Sequence, residues 1–111
     1  MNKYGLFTVF KVKPGKRAEL AEILQQASEL IAKAKGIHQY LIYNDNKDEN
    51  KICISEIWDT KEDHDNSLKI EGCMELIFQA FLLINGKAEN IELEVLGGKG
   101  VRELAGVEKV Y

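Results

Sequence analysis

KICISEIWDTKEDHDNS, residues 51–67, joins a strand to a helix, and the rest of the chain is arranged around it. Its first half alternates between two faces, with β-branched residues in both, which predicts a strand. One face carries Ile52, Ile54, Glu56 and Trp58. Thr60 follows as a predicted helix N-cap, and acidic residues in the next turn suit the positive end of the helix dipole. The corner between strand and helix, with Trp58 and His64, is the predicted place for part of a small-molecule site.

On the N-terminal side of this stretch, the pattern predicts two strands with a helix between them. Tyr4–Lys13 alternates with apolar residues on both faces and ends at Pro14-Gly15, a turn signal. Residues 16–35 place apolar side chains at three- and four-residue steps, which predicts a helix closed by Gly36. Residues 37–44 form the second predicted strand, and the polar residues 44–50 make a hairpin with the strand at 52–58.

On the C-terminal side, a short helix over 61–66 leads to a predicted long helix over 68–83 and a last strand over 90–96. The order β-α-β-β-α-β predicts a ferredoxin-like α+β fold. Right-handed crossovers place both long helices on one face of a four-stranded antiparallel sheet. The opposite face keeps large apolar side chains, so we expect a homodimer that buries sheet against sheet.

The chain of 111 residues predicts one domain over 1–97 and a tail over 98–111 after a glycine hinge. The tail is expected to lie along the partner subunit or to fray. A net charge of -3 without a basic stripe argues against nucleic acid as a partner. No segment reaches the length of a membrane helix, and no signal peptide is evident. Cys53 and Cys73 lack metal-ligand spacing, so two buried reduced thiols and a cytoplasmic location are expected.

Three motifs in this order resemble the antibiotic biosynthesis monooxygenase family of dimeric α+β barrels, which includes quinol-monooxygenase-like proteins. They are VKPGK at 12–16, KGIHQY at 35–40 and SEIWDTKEDHDNS at 55–67. The Glu-x-Trp of Glu56 and Trp58, followed by a helix with a histidine, is the most specific. The resemblance implies a homodimer with one pocket per subunit, between sheet and helices. It also implies oxidation of a quinol or polyphenol by O₂ without flavin, haem or metal.

The resemblance also implies the site residues, with two departures. His64 and Trp58 are the expected catalytic residues. The expected substrate pocket is Thr8, Tyr40, Glu56, Ser67, Met74 and Phe81. Quinol-monooxygenase-like relatives commonly carry a histidine nine residues after the tryptophan, where this chain has Ser67. The haem-degrading branch has Asn, Trp and His at positions matching Thr8, Ser67 and Ile77, which argues against haem.

Several of these residues also have a structural interpretation. Trp58 is either a core or dimer-contact aromatic or a wall that stacks on a ligand. His64 is either a solvated residue at a helix start or a hydrogen-bond partner of a substrate hydroxyl. Glu56, if it points inward, is expected to pair with an Arg or Lys or to become a perturbed acid. His38 is expected to have a structural or interface role. A non-catalytic ligand-binding dimer and a lactone-isomerase or dehalogenating relative are the alternative functions.

Overall fold

The structure is a computed structural model that describes residues 2–100, and it contains four strands and three helices. The elements are β1 (Lys3–Lys11), α1 (Arg17–Ile31), β2 (Ile37–Asn44), β3 (Lys51–Trp58), α2 (Lys61–Ser67), α3 (Cys73–Phe81) and β4 (Glu89–Val95). The ferredoxin-like order is therefore confirmed, with the short α2 inserted before the second crossover helix.

The sheet has the order β2-β3-β1-β4, and every neighbouring pair is antiparallel. β2 and β3 form the predicted hairpin. Tyr4 pairs with Trp58 and Thr8 with Ile54 across β1 and β3, while Thr8 also faces Asn90 on β4. Paired residues point to the same face of a sheet. The register therefore brings residues distant in sequence to one surface beneath the helices.

The helices cover the face of β3 that the alternation predicted. Ile52, Ile54, Glu56 and Trp58 are all buried, and the residues between them are half-buried. The main core joins the apolar stripe of α1 to this face: Val12, Leu20, Ile23, Leu24, Ile52, Ile54, Leu76 and Leu83. A second cluster of Ile31, Trp58 and Cys73 lies beside it. Thr60 caps α2 as predicted, because its side-chain oxygen accepts from the Asp63 N–H at 3.0 Å.

The predicted ends of both long helices were wrong. α1 stops at Ile31 rather than at residue 35. α3 begins at Cys73 because Gly72 has a left-handed backbone (φ 93°), which interrupts a right-handed helix. After Phe81 the chain leaves the helix, and Ile84 forms an isolated bridge with Val12. Leu83 and Ile84 therefore extend the core rather than the helix.

The sheet face away from the helices is apolar, as predicted, and uncovered on a single chain. Leu41 and Tyr43 on β2 and Ile91 and Leu93 on β4 are each 40–50% exposed. Cys53 is half-buried on this face rather than buried as expected, while Cys73 is buried, and both are free thiols.

His38 forms polar contacts at the end of the sheet. His38 Nε2 lies 2.6 Å from Asp59 Oδ1, which also accepts from Lys3 Nζ at 2.8 Å. These bonds hold the pKa of Asp59 below its usual range, with the His38 bond the larger cause.

Within residues 2–100, no helix has both the length and the apolar composition to cross a membrane. The expectation for the tail falls mainly on residues 101–111, outside the described part of the chain.

Candidate functional site

A cavity of about 350 Å³ lies between the helix-facing side of the sheet and the helices α1 and α3. Its wall is largely aliphatic and aromatic, with contributions from Ile23, Leu24, Ile54, Leu76 and Ile77 among others. The polar side chains on the wall are few: Tyr40, Glu56, His64, Ser67, Lys87 and Asn90. A concave apolar space with a few polar groups is typical of small-molecule sites.

Glu56 places a carboxyl in this wall, on the buried face of β3. It is 6% exposed, and its Oε1 accepts a hydrogen bond of 3.0 Å from the Trp58 indole N–H. No Lys or Arg among residues 2–100 forms an ion pair with it, so the expected cationic partner was wrong. Burial raises the pKa of Glu56, while the Trp58 bond and the nearby His64 oppose that rise. Glu56 is therefore the perturbed acid of the two alternatives.

Trp58 is fully buried behind Glu56 and does not line the cavity. Its ring packs with Ile31 and Cys73, and its N–H is directed to the Glu56 carboxyl. The structure therefore places Trp58 in the core. Its indole N–H is linked to the cavity wall through the hydrogen bond to Glu56.

His64 reaches the same end of the cavity from α2, with a side chain that is 16% exposed. Its Nδ1 lies 3.0 Å from Asp65 Oδ1, a contact that lowers the pKa of Asp65. The ring meets Trp58 edge-on at 5.8 Å between centroids. With Nδ1 held by Asp65, Nε2 is the ring nitrogen left for a ligand within the described chain.

The other predicted pocket residues separate into three groups. Tyr40, Ser67 and Phe81 line the cavity. Thr8 is buried behind the wall, where its hydroxyl donates to Asn90 Oδ1 at 2.9 Å. Met74 is 61% exposed on α3 and does not reach the cavity.

Asn90 is a wall residue that the sequence interpretation did not name. The signal for it was the alternation of β4, which sets Asn90 and Glu92 opposite the apolar face. Only the cross-strand register shows that this polar row meets Thr8 and the cavity. In the described chain, no three His, Cys, Asp or Glu side chains gather as they would around a metal ion.

Fold and cavity together define a small α+β protein with an internal apolar site and a carboxyl and an imidazole at one end. The family model described as antibiotic biosynthesis monooxygenase matches residues 4–75, so the chain belongs to this family. No curated protein matches the sequence.

Solved structures agree with this assignment. A Chloroflexus aurantiacus protein described as a proposed antibiotic biosynthesis monooxygenase is 31% identical, with a TM-score of 0.81. The match covers 89% of this chain and 98% of that one. A Nitrosomonas europaea protein with the same description has a TM-score of 0.80 at 14% identity, covering 85% of this chain and 90% of that one. The second likeness supports the fold alone.

Proposed function

We propose that this protein is a monooxygenase that oxidises a small quinol or polyphenolic aromatic with O₂ and without a cofactor. The observation that supports this most directly is the apolar cavity with Glu56 and His64 at one end. An aromatic ring fits the aliphatic wall, and its hydroxyl would lie at the polar end. The general monooxygenase character follows from the family, and the quinol is our own inference.

The chemistry needs only the substrate and O₂. A quinol that loses a proton becomes an electron-rich anion that can pass an electron to O₂. A quinol and O₂ together contain the atoms of a hydroxyquinone and water, and the quinol supplies all the electrons. The protein contributes an apolar cavity and groups that favour the anion. His64, with Nε2 toward the ligand, is the proposed partner of the developing oxyanion.

Purified protein is expected to consume O₂ with a panel of hydroquinones, and His64→Ala is expected to lower kcat by about 10²–10⁴-fold. The other histidine provides a matched control. His38 pairs with Asp59 and does not line the cavity, so His38→Ala should keep kcat within a few-fold. The measurement is O₂ uptake with an oxygen electrode.

Other outcomes of the same panel would contradict the proposal. Quinones that bind without O₂ uptake would identify a non-catalytic ligand-binding protein. Isomerisation or hydrolysis without O₂ uptake would point to a different reaction on this scaffold.

We further propose a homodimer in which the uncovered sheet faces pack together. Leu41, Tyr43, Ile91 and Leu93 form an exposed apolar surface on that face, and such a surface is unusual on a monomer. A second copy supplies a matching surface through two-fold symmetry.

The two free thiols support a reducing compartment, and we propose the cytoplasm.

The double variant Leu41→Lys with Leu93→Lys is expected to sediment as a monomer, because each lysine would be buried unpaired in the interface. Gln25→Lys, an exposed site on α1, adds the same kind of charge away from the sheet and should leave the dimer intact. Sedimentation velocity distinguishes the two species. A double variant that still sediments as a dimer would show that the interface does not lie on this sheet face.

A further inference from the structure

One carboxylate oxygen of Glu56 accepts a hydrogen bond from the protein, and the other accepts none within the described chain. Oε1 accepts from Trp58, whereas Oε2 takes part in no hydrogen bond within residues 2–100. In that part of the chain, every fully buried side-chain oxygen or nitrogen has a partner. Oε2 is therefore not sealed off. Because Glu56 is itself a wall residue, the cavity is the space to which this oxygen is open.

The surroundings make this oxygen an effective acceptor. Within residues 2–100 no Lys or Arg forms an ion pair with the carboxyl, and the neighbouring wall residue Ile54 is apolar. Among the titratable groups around it, His64 from α2 lowers the pKa of Glu56, while burial and the carboxylate itself raise the pKa of Tyr4 on β1 and of Tyr40 on β2. A carboxylate in such a place stabilises a bound ligand most when the ligand supplies a hydroxyl donor.

We propose that Glu56 receives the ligand's hydroxyl group, first as hydrogen-bond acceptor and then as acceptor of its proton, and that Trp58 is the positioning residue that aims the carboxyl. In the proton step the ligand O–H bond breaks and an O–H bond forms on Glu56. The ligand keeps the electron pair and becomes an oxyanion beside His64. This assignment rests on the proposed function for the oxidation that follows, but hydroxyl recognition by Glu56 stands without it.

Trp58 suits a positioning role because it touches the carboxyl and not the cavity. Its ring is 0% exposed and fixed among core residues, so the indole N–H has one direction in which to donate. The bond holds Oε1 and so determines the direction of Oε2. It also favours the ionised form, which is the form that can take a proton.

The test compares a ligand that can donate with one that cannot. 1,4-Dihydroxynaphthalene and 1,4-dimethoxynaphthalene share a ring system, and calorimetry under argon measures binding of both without oxidation. In a series of binding measurements across pH, the wild type should prefer the diol by about tenfold to a hundredfold at the alkaline end, where Glu56 is ionised. The preference should fall toward the acidic end, because a protonated Glu56 can donate to the ether oxygen.

Variants of Glu56 and Trp58 separate this proposal from simple packing effects. Glu56→Gln keeps the size of the side chain and should make the preference nearly independent of pH. Trp58→Phe should raise the pH midpoint of the wild-type change, since the bond that favours the ionised carboxyl is gone. A purely structural tryptophan would leave that midpoint in place. Circular dichroism serves as the check that both variants fold.

The outcomes also distinguish this proposal from the oxygenase. A preference for the diol that depends on Glu56, without O₂ uptake in air, would keep the Glu56 assignment and remove the oxidation. O₂ uptake with an equal affinity for diol and ether, unchanged in Glu56→Gln, would overturn the Glu56 assignment and leave the oxygenase standing.

Discussion

Trp58→Ala is expected to lower the free energy of unfolding by about 3–5 kcal/mol, as large-to-small changes of buried aromatic residues do. Trp58 is 0% exposed and joins Ile31 and Cys73 in the second core cluster, so its removal leaves a cavity that neighbouring side chains fill only in part. The change also removes the hydrogen-bond donor of Glu56. Urea denaturation followed by circular dichroism measures the loss.

Two further variants divide this loss into its parts. Trp58→Phe keeps most of the apolar volume and removes the N–H, so it should cost about 1–3 kcal/mol. Phe78→Ala removes an aromatic ring that is 65% exposed on α3 and should cost less than about 1 kcal/mol. A Trp58→Ala protein as stable as Phe78→Ala would show that the ring does not support the core.

Gly36→Ala is expected to destabilise the protein by about 2–5 kcal/mol, the sum of a backbone cost and a steric one. Gly36 has a φ of 86°, a left-handed conformation that side chains disfavour. A Cβ there would overlap Asp63 Oδ2 and lie 2.7 Å from Asp63 Cγ. Asp63 is buried in the first turn of α2, so the helix would have to shift away from β2.

The chain offers a matched control for the steric part. Gly15 has a φ of 78°, and a Cβ on it meets no atom within 4 Å, so Gly15→Ala should show the backbone cost alone, about 1–2 kcal/mol. In an Asp63→Gly background, where the contact atoms are gone, Gly36→Ala should cost no more than Gly15→Ala does. Equal losses for both glycines in the wild-type background would contradict the steric argument.

The sequence predicted the fold well where local patterns carry the information. The alternation of residues 52–58 identified the buried face of β3, and Thr60 identified the start of α2. The prediction failed at α3, since the helical spacing of apolar residues continues through 68–84 while the helix occupies only Cys73–Phe81. Hydrophobic periodicity does not register the left-handed backbone of Gly72 or the pairing of Ile84 with Val12.

The site was predicted less completely, because a cavity depends on how elements meet. Glu56 and Trp58 share a strand face at a spacing of two, so the sequence shows that they are neighbours. It does not show that Glu56 borders an empty space while Trp58 is covered. Met74 lies outside the cavity for a similar reason, since the direction of α3 decides which side of the helix faces inward. Asn90 depends on a register between strands far apart in sequence.

The bond between Trp58 and Glu56 gives the protein a built-in optical probe. Trp58 is the only tryptophan in the chain, so the whole indole emission of the protein arises beside the carboxyl at the end of the cavity. Indole fluorescence responds to charge and to hydrogen bonding at its N–H. Binding of unlabelled compounds can therefore be followed by the emission of Trp58, a residue in contact with the polar end of the site.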